Sequence, residues 1–581
     1  MKRGEMLTGR SVSGRWQVLG DRLQVERLVF VVVLLFGLAG LLALFRFGFG
    51  VRAADGIGGQ DKSADGVWQR TQTVAGEWAG RSGVPESAVV FRLDESALRS
   101  VLASEGKRDG ETEGLREGGK EGAGVLVWLP MPDGGFARFR VVEAPVMKPE
   151  LARQFPEIKS YRGWGIDDGR LTMRCDLSPL GFHAMVTDGA ELIAIHSVEK
   201  NDREHYVSYA GRDYAAAAAS ALCLVNESKV IRKITPSFSR NSSIGTQIRQ
   251  YDVAIATTVE YTTANGGQPA TMMNLASRVG DLNLIFEREL AIRLNLVTNS
   301  SIVYTNEPDP FTNETLDTIG QTTGMVDQVR SVLNTQIGAA NYDFGLVLGT
   351  GTSAGSAYVG VVCETASDSF GPYKGGGAVL VDSSVSIQTN VAMMAHEIGH
   401  QFGATHTQNA NCGNSTRYGD TAWESGSGLT LMSNAGGCGA NNIASARSSY
   451  FHSGSFEQII GYLNFQGASC ATLVSNGGNV PPIVTLLNDT NSYVIPKQTP
   501  FVLTAAGNDT LGETLTYSWE QIDAGNSGFA NPPYTDAGDP PLTTRPIFRP
   551  FDPVSSSTRF FPRLQDILSG QNAAAFENLP Q

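Results

Sequence analysis

The sequence predicts an α/β (α+β) domain built on a mixed sheet, with a strand-rich region before it and a β-sandwich after it. Three observations carry this. Between about residues 245 and 475, strand-like apolar runs alternate with segments whose apolar residues recur at helical spacing, as when helices cover a sheet. Upstream, short alternating runs separated by turn residues continue to about residue 210. From Pro481, brief β-rich runs are punctuated by Asn, Asp and Gly, the texture of a sandwich.

The chain has 581 residues, more than one core, and divides at about 100–200 residues per domain. Leu28 to Phe45, LVFVVVLLFGLAGLLALF, carries no charge and follows Arg10, Arg15, Arg22 and Arg27. Residues 1–54 therefore read as a signal peptide cut after Ala53, or as an uncleaved signal-anchor. Both export the remainder, secreted or held to a membrane only through this segment. The formal net charge is −13 with no basic stripe, which argues against nucleic-acid binding. No oligomeric state follows from the sequence.

Residues 55–240 form the strand-rich region. They begin with a polar linker, and 104–124, SEGKRDGETEGLREGGKEGAG, is expected to be a disordered loop. VLVWLPMPDGGFARFRVVEAPVM reads as a hairpin around Pro-Asp-Gly-Gly, and RLTMRCDL and ELIAIHSV as further strands. In 245–475, IRQYDVAIATTVEYTT is a strand, and Pro269 opens a long amphipathic helix. LNLVTNSSIVYT, YDFGLVLGT and SAYVGVVC are strands, GMVDQVRSVLNTQIG is a helix, and YFHSGSFEQIIGYLNF closes the domain as another helix. In 480–581, PIVTLL, YVIP, FVLTAAG and TLTYSWEQI are the sandwich strands, with Trp519 in the core and the sandwich cut short. Export permits disulfides. Four of six cysteines fall between 363 and 470 and two lie upstream, a distribution that leaves connectivity open.

VAMMAHEIGHQFGATHTQ, residues 391–408, holds three of seven histidines. His396 and His400 stand four apart, so on a helix they lie one turn above the other and both can face one tetrahedral Zn²⁺. Glu397 beside them is placed to take a proton from the attacking water. Gly403 is expected to end the helix at positive φ, bringing His406 back as third ligand with the fourth position open. Met393, Met394, Ile398 and Phe402 would bury the other face.

HEIGHQFGATH resembles the HExxHxxGxxH signature of metzincin zinc endopeptidases, and GSGLTLMSNAGGC, with Met432, resembles their methionine turn. AYVGVVC, YFHSGSFEQI and PDGGFARFRVVEAPVM are similar to the reprolysin (adamalysin)-like group, especially its bacterial secreted members. The resemblance covers about residues 125–475. It implies one catalytic Zn²⁺ on His396, His400 and His406, with Glu397 as general base and Met432 as the floor. It also implies protein or peptide substrates paired to the SAYVGVVC edge, and disulfides Cys363–Cys470 and Cys412–Cys438. Thr407 replaces the Asp usual in animal relatives, and Asn434 stands where some metzincins carry a tyrosine. Asp252 and Asp343 sit where some relatives bind Ca²⁺, but Leu473 replaces an expected Asn, which favours ordinary surface carboxylates.

Residues 55–240 would then be a prodomain. Cys175 and Cys223 are its candidates for a thiol at the open zinc position, although a disulfide between them or two plain buried thiols is the favoured expectation. His183, His196, His205 and His452 are expected to be structural or surface residues. The competing function is a catalytically silent adhesion or binding protein. A non-proteolytic zinc hydrolase is disfavoured by the methionine turn and the edge strand.

Overall fold

The structure is a computed structural model that describes residues 61–74, 84–104, 124–214, 222–311, 324–525 and 546–579, with short interruptions, and two hairpin strands at Arg116–Glu117 and Lys120–Glu121. The N-terminal apolar segment and most of the loop expected at 104–124 lie outside the described residues. Among the described residues no helix is long and apolar enough to cross a membrane.

The upstream region is one antiparallel sheet of nine strands. In chain order these are β1 (Trp68–Val74), β2 (Val89–Leu93), β3 (Val125–Pro130), β4 (Phe136–Glu143), β5 (Lys159–Gly165), β6 (Thr172–Ser178), β7 (Gly181–Thr187), β8 (Leu192–Ser197) and β9 (His205–Ala210). Their spatial order is β1-β2-β9-β8-β7-β6-β5-β4-β3, so the hairpin expected around Pro-Asp-Gly-Gly is β3-β4. Strand alternation gives the sheet two apolar faces. Met173, Cys175 and Leu177 of β6 join Trp68, Phe91 and Phe139 in an inner core. Val90, Met185, Ala194 and Val207 point the other way, into the core of the central domain.

That domain is a mixed sheet with helices on both faces. Its strands are β10 (Leu222–Cys223), β11 (Gln247–Thr257), β12 (Ile292–Leu296), β13 (Phe344–Thr350), β14 (Ala354–Ala357), β15 (Gly377–Val381) and β16 (Thr472–Ser475). The order is β10-β14-β15-β13-β11-β12, with β16 beside the start of β11. β15, β13, β11 and β12 run parallel, whereas β14 is antiparallel to β15. Tyr251, Val253 and Ile255 of β11 face the long helix α1 (Gln268–Leu290) and the histidine helix α2 (Ile387–Gln401). Ala254 and Ala256 face the helix Met325–Gln336 on the other side.

Three expectations are corrected. The strand read through Thr263 ends at Thr257, where Thr258 caps the helix Val259–Asn265. The strand read through residue 305 stops at Leu296 and gives way to a short 3-10 turn at Ser300–Ile302. SAYVGVVC is extended only to Ala357, because Gly360 N–H donates to His400 O and the Val361 and Val362 N–H groups donate to Gln401 O. Those amides satisfy the carbonyls left over at the end of α2, so none remain for a strand. The sandwich is not confirmed: among the described residues the C-terminal region has a three-stranded antiparallel sheet, Ile483–Leu486, Phe501–Asn508 and Thr558–Phe561, and a short pair, Ala573–Ala574 with Glu577–Asn578. Among the described residues TLTYSWEQI makes the bridge Tyr517–Val554, and this stretch also meets the central domain. The Glu520 carboxylate accepts from Ser453 N, 2.6 Å, and Gly525 N donates to Ala422 O, 2.9 Å. Trp519 is half-buried and packs against Ile547, Phe548 and Phe561.

Candidate metal centre

Ser386 caps the N-terminus of α2 by accepting from Thr389 N, and the helix runs to Gln401. Gly403 follows at φ 95°, in the left-handed region as its place in the sequence predicts. The chain then doubles back and brings His406 beside His396 and His400, all three fully buried. His400 Nε2 lies 3.1 Å from His396 Nε2 and 3.2 Å from His406 Nε2.

The other ring nitrogens determine what these atoms are. Each Nδ1 meets a backbone carbonyl, His396 at Leu431 O (2.6 Å), His400 at Ala404 O (2.8 Å) and His406 at Thr416 O (2.6 Å). A carbonyl only accepts, so each Nδ1 carries the proton and each Nε2 presents a lone pair. Burial drives the three imidazoles to the neutral form, lowering His406 to about 4 and the other two well below their ordinary value. Three lone pairs converging in a buried space repel one another unless a cation lies between them. Nitrogen ligands in a tetrahedral zinc site stand about 3.3 Å apart. The residues present therefore fit Zn²⁺.

Glu397 is fully buried, and the Cys223 thiol faces its carboxylate. Burial raises its pKa to about 8, opposed by Cys223 and the Arg447 guanidinium. Met432 lies under α2, its sulfur where a Cβ on Gly399 would be, and the neighbouring Leu431 supplies the carbonyl for His396. Asn434 is buried, with Arg447 Nη2 donating to its Oδ1 at 3.2 Å.

One residue joins this site against the favoured expectation. Cys175 and Cys223 are not bonded to each other, and both are free buried thiols. Cys175 belongs to the inner core of the upstream sheet. Cys223 Sγ instead lies 3.5 Å from His400 Nε2, and the four ligand-type atoms of Cys223, His396, His400 and His406 all fall within 4.8 Å of one another. A sulfur and a nitrogen on one tetrahedral zinc stand about 3.5 Å apart. Cys223 is delivered by β10, which pairs parallel with β14, Leu222 to Ala354 and Cys223 to Gly355. The edge expected to receive substrate is thus occupied by the chain's own upstream segment. That segment continues through a Val230–Val359 bridge and ion pairs of Arg232 with Glu364 and Lys233 with Asp420. Only the presence of Cys223 among two upstream cysteines hinted at this; nothing local in LCLVN marks it.

Cys363–Cys470 and Cys412–Cys438 are disulfides. The first ties the turn after β14 to the segment before β16, and the second ties the loop after His406 to the stretch after Met432. Asp252 and Asp343 give calcium no support. The Lys148 ammonium is ion-paired with Asp252, and an Asp343 oxygen accepts from Asp252 N at 2.7 Å. The remaining histidines have structural partners. His183 meets Asp281, His196 meets Tyr209, His205 meets Asp202, and His452 caps the closing helix Ser453–Leu463 and stacks on Trp423.

A family match supports a metallopeptidase. Residues 247–463 match the family described as metallo-peptidase family M12B, reprolysin-like. No curated protein matches the chain. Among solved structures, metalloproteinase-II from Bacteroides fragilis is 10% identical with a TM-score of 0.30, covering 56% of this chain and 87% of that one. A chaperone-substrate complex is 16% identical with a TM-score of 0.23, covering 38% of this chain and 34% of that one. Both scores are low, and the assignment rests on the family match.

Proposed function

We propose that the chain is an exported zinc-dependent endopeptidase in its latent form. The observation that carries this is the convergence of three imidazole lone pairs beside a fully buried glutamate. His396, His400 and His406 would hold the metal. Bound zinc would polarise the scissile carbonyl and acidify the attacking water. Glu397 would accept that water's proton and deliver it to the leaving amine. β14 would pair with an extended peptide once its edge is free. Residues 55–240 would be a prodomain, with Cys223 filling the fourth ligand position and β10 filling the substrate strand.

Glu397→Ala tests the assignment. The variant, freed of residues up to about 245, is expected to keep stoichiometric zinc and lose peptide hydrolysis by about 10³-fold. Retained hydrolysis would remove Glu397 from the mechanism. Loss of zinc along with activity would make it a structural residue of the site.

A further inference from the structure

Thr407 follows the third histidine directly, and its hydroxyl donates to Oε1 of Glu424. Glu424 is fully buried and takes four hydrogen bonds. Oε1 accepts from the hydroxyls of Thr407 and Thr430, and Oε2 accepts from Leu429 N at 2.6 Å and Thr430 N at 3.1 Å. Two of these donors immediately precede Leu431, whose carbonyl orients His396, and Met432, which floors the site. The backbone repeats the link, with Thr407 N donating to Met432 O at 3.1 Å and Glu424 N donating to Thr407 O at 2.9 Å.

We propose that Glu424 is the positioning residue of the metal centre. One buried carboxylate pins the segment that carries His406 to the turn that supplies the carbonyl for His396 and the methionine floor. It acts through two ligands without touching the metal, and the inference rests on the zinc reading above. All four groups facing Glu424 are donors, which suits an ionised carboxylate that only accepts. Glutamine keeps the shape but turns an NH₂ towards a hydroxyl or a buried N–H, leaving that donor unsatisfied. Residues that orient metal ligands through a further hydrogen bond govern affinity by about 10–100-fold.

The test uses the full chain. Zinc affinity is measured by chelator competition, the visible spectrum is recorded on Co²⁺-loaded protein, and thermal melting is followed on the metal-free form. Glu424→Gln is expected to weaken zinc about 10–100-fold and change the Co²⁺ bands. Thr407→Val removes one of the four bonds and is expected to weaken zinc several-fold, with metal-free melting unchanged. Should Glu424→Gln fail to fold, Thr407→Val alone decides. Wild-type zinc affinity and Co²⁺ bands in the variants that fold would overturn the role of Glu424 and leave the zinc reading standing. Absence of stoichiometric zinc in the unsubstituted chain would overturn both.

Discussion

Gly355 on β14 faces Glu397 so closely that a Cβ built there would overlap the carboxylate. Gly399, between the two helical histidines, stands in the same relation to the sulfur of Met432. The site therefore depends on absent side chains as well as present ones. Gly355→Ala is expected to push Glu397 off its line of attack. A displacement of about 1 Å can cost roughly 10²-fold in rate, so kcat of the processed enzyme should fall by about 10–10²-fold with zinc content unchanged. Steady-state kinetics alongside metal analysis checks this, and an unchanged kcat would mean that Glu397 has room to move. His396, Glu397 and His400 were legible in sequence because they stand at helical spacing, and Gly403 and His406 because a glycine there ends the helix and turns the chain back. Gly355, Glu424 and Cys223 were not, because each is defined by a partner between 17 and 177 residues away that only tertiary approach supplies.

Elements follow the same division. β11, β13, the end of β12 and α1 were readable as strand-like and helix-like apolar runs, whereas β15, a short run behind three glycines, was not. SAYVGVVC failed because its apolar pattern is strand-like while its later backbone N–H groups are committed to the end of α2. The contact of β6 and β7 with α1 is also invisible to pattern, because it is polar. Asp176 is buried among His183 of β7 and Ser277, Arg278 and Asp281 of α1, with the Arg174–Glu287 ion pair nearby. Burial raises Asp176 to about 6 from its ordinary 3.8. Between those values the folded chain holds a proton that the unfolded chain has released, so stability falls as pH rises, and the full penalty is present above about pH 6. Two pKa units correspond to about 2–3 kcal/mol. Asp176→Asn should therefore stabilise the full chain by up to that amount at pH 7.5 and leave it unchanged near pH 3. Denaturant melts at the two pH values would decide. Lower stability of the variant at pH 7.5 would show that the carboxylate's pairing with His183 and Arg278 outweighs its burial.

Across the whole molecule, the central domain is held from both sides. The upstream sheet packs on α1, and the C-terminal region grips the segment from Ala422 to Ser453 that forms the floor of the site. Between them Leu222–Val225 and Val230–Ile234 lie against β14 and the site. The Cys223 thiol reaches the histidines, the backbone of β10 pairs with β14, Arg232 and Lys233 meet Glu364 and Asp420, and Ile234 O accepts from Gln458 Nε2 at 3.2 Å. The proposed latency therefore has two separable components, ligation by Cys223 and occupation of the substrate edge. A tethered segment competes with substrate at an effective concentration on the order of millimolar. A peptide offered at micromolar concentration should lose that competition even when the thiol is gone. Cys223→Ala in the full chain is therefore expected to raise hydrolysis only partway, leaving it about tenfold or more below enzyme cleaved after the segment and freed of it. The comparison is of initial rates for full-length wild type, full-length Cys223→Ala and processed enzyme on one fluorogenic peptide. If Cys223→Ala matches processed enzyme, the thiol alone sustains latency and the strand pairing is incidental. If it stays as silent as wild type while processing restores activity, occupation of β14 by β10 suffices and the thiol adds nothing.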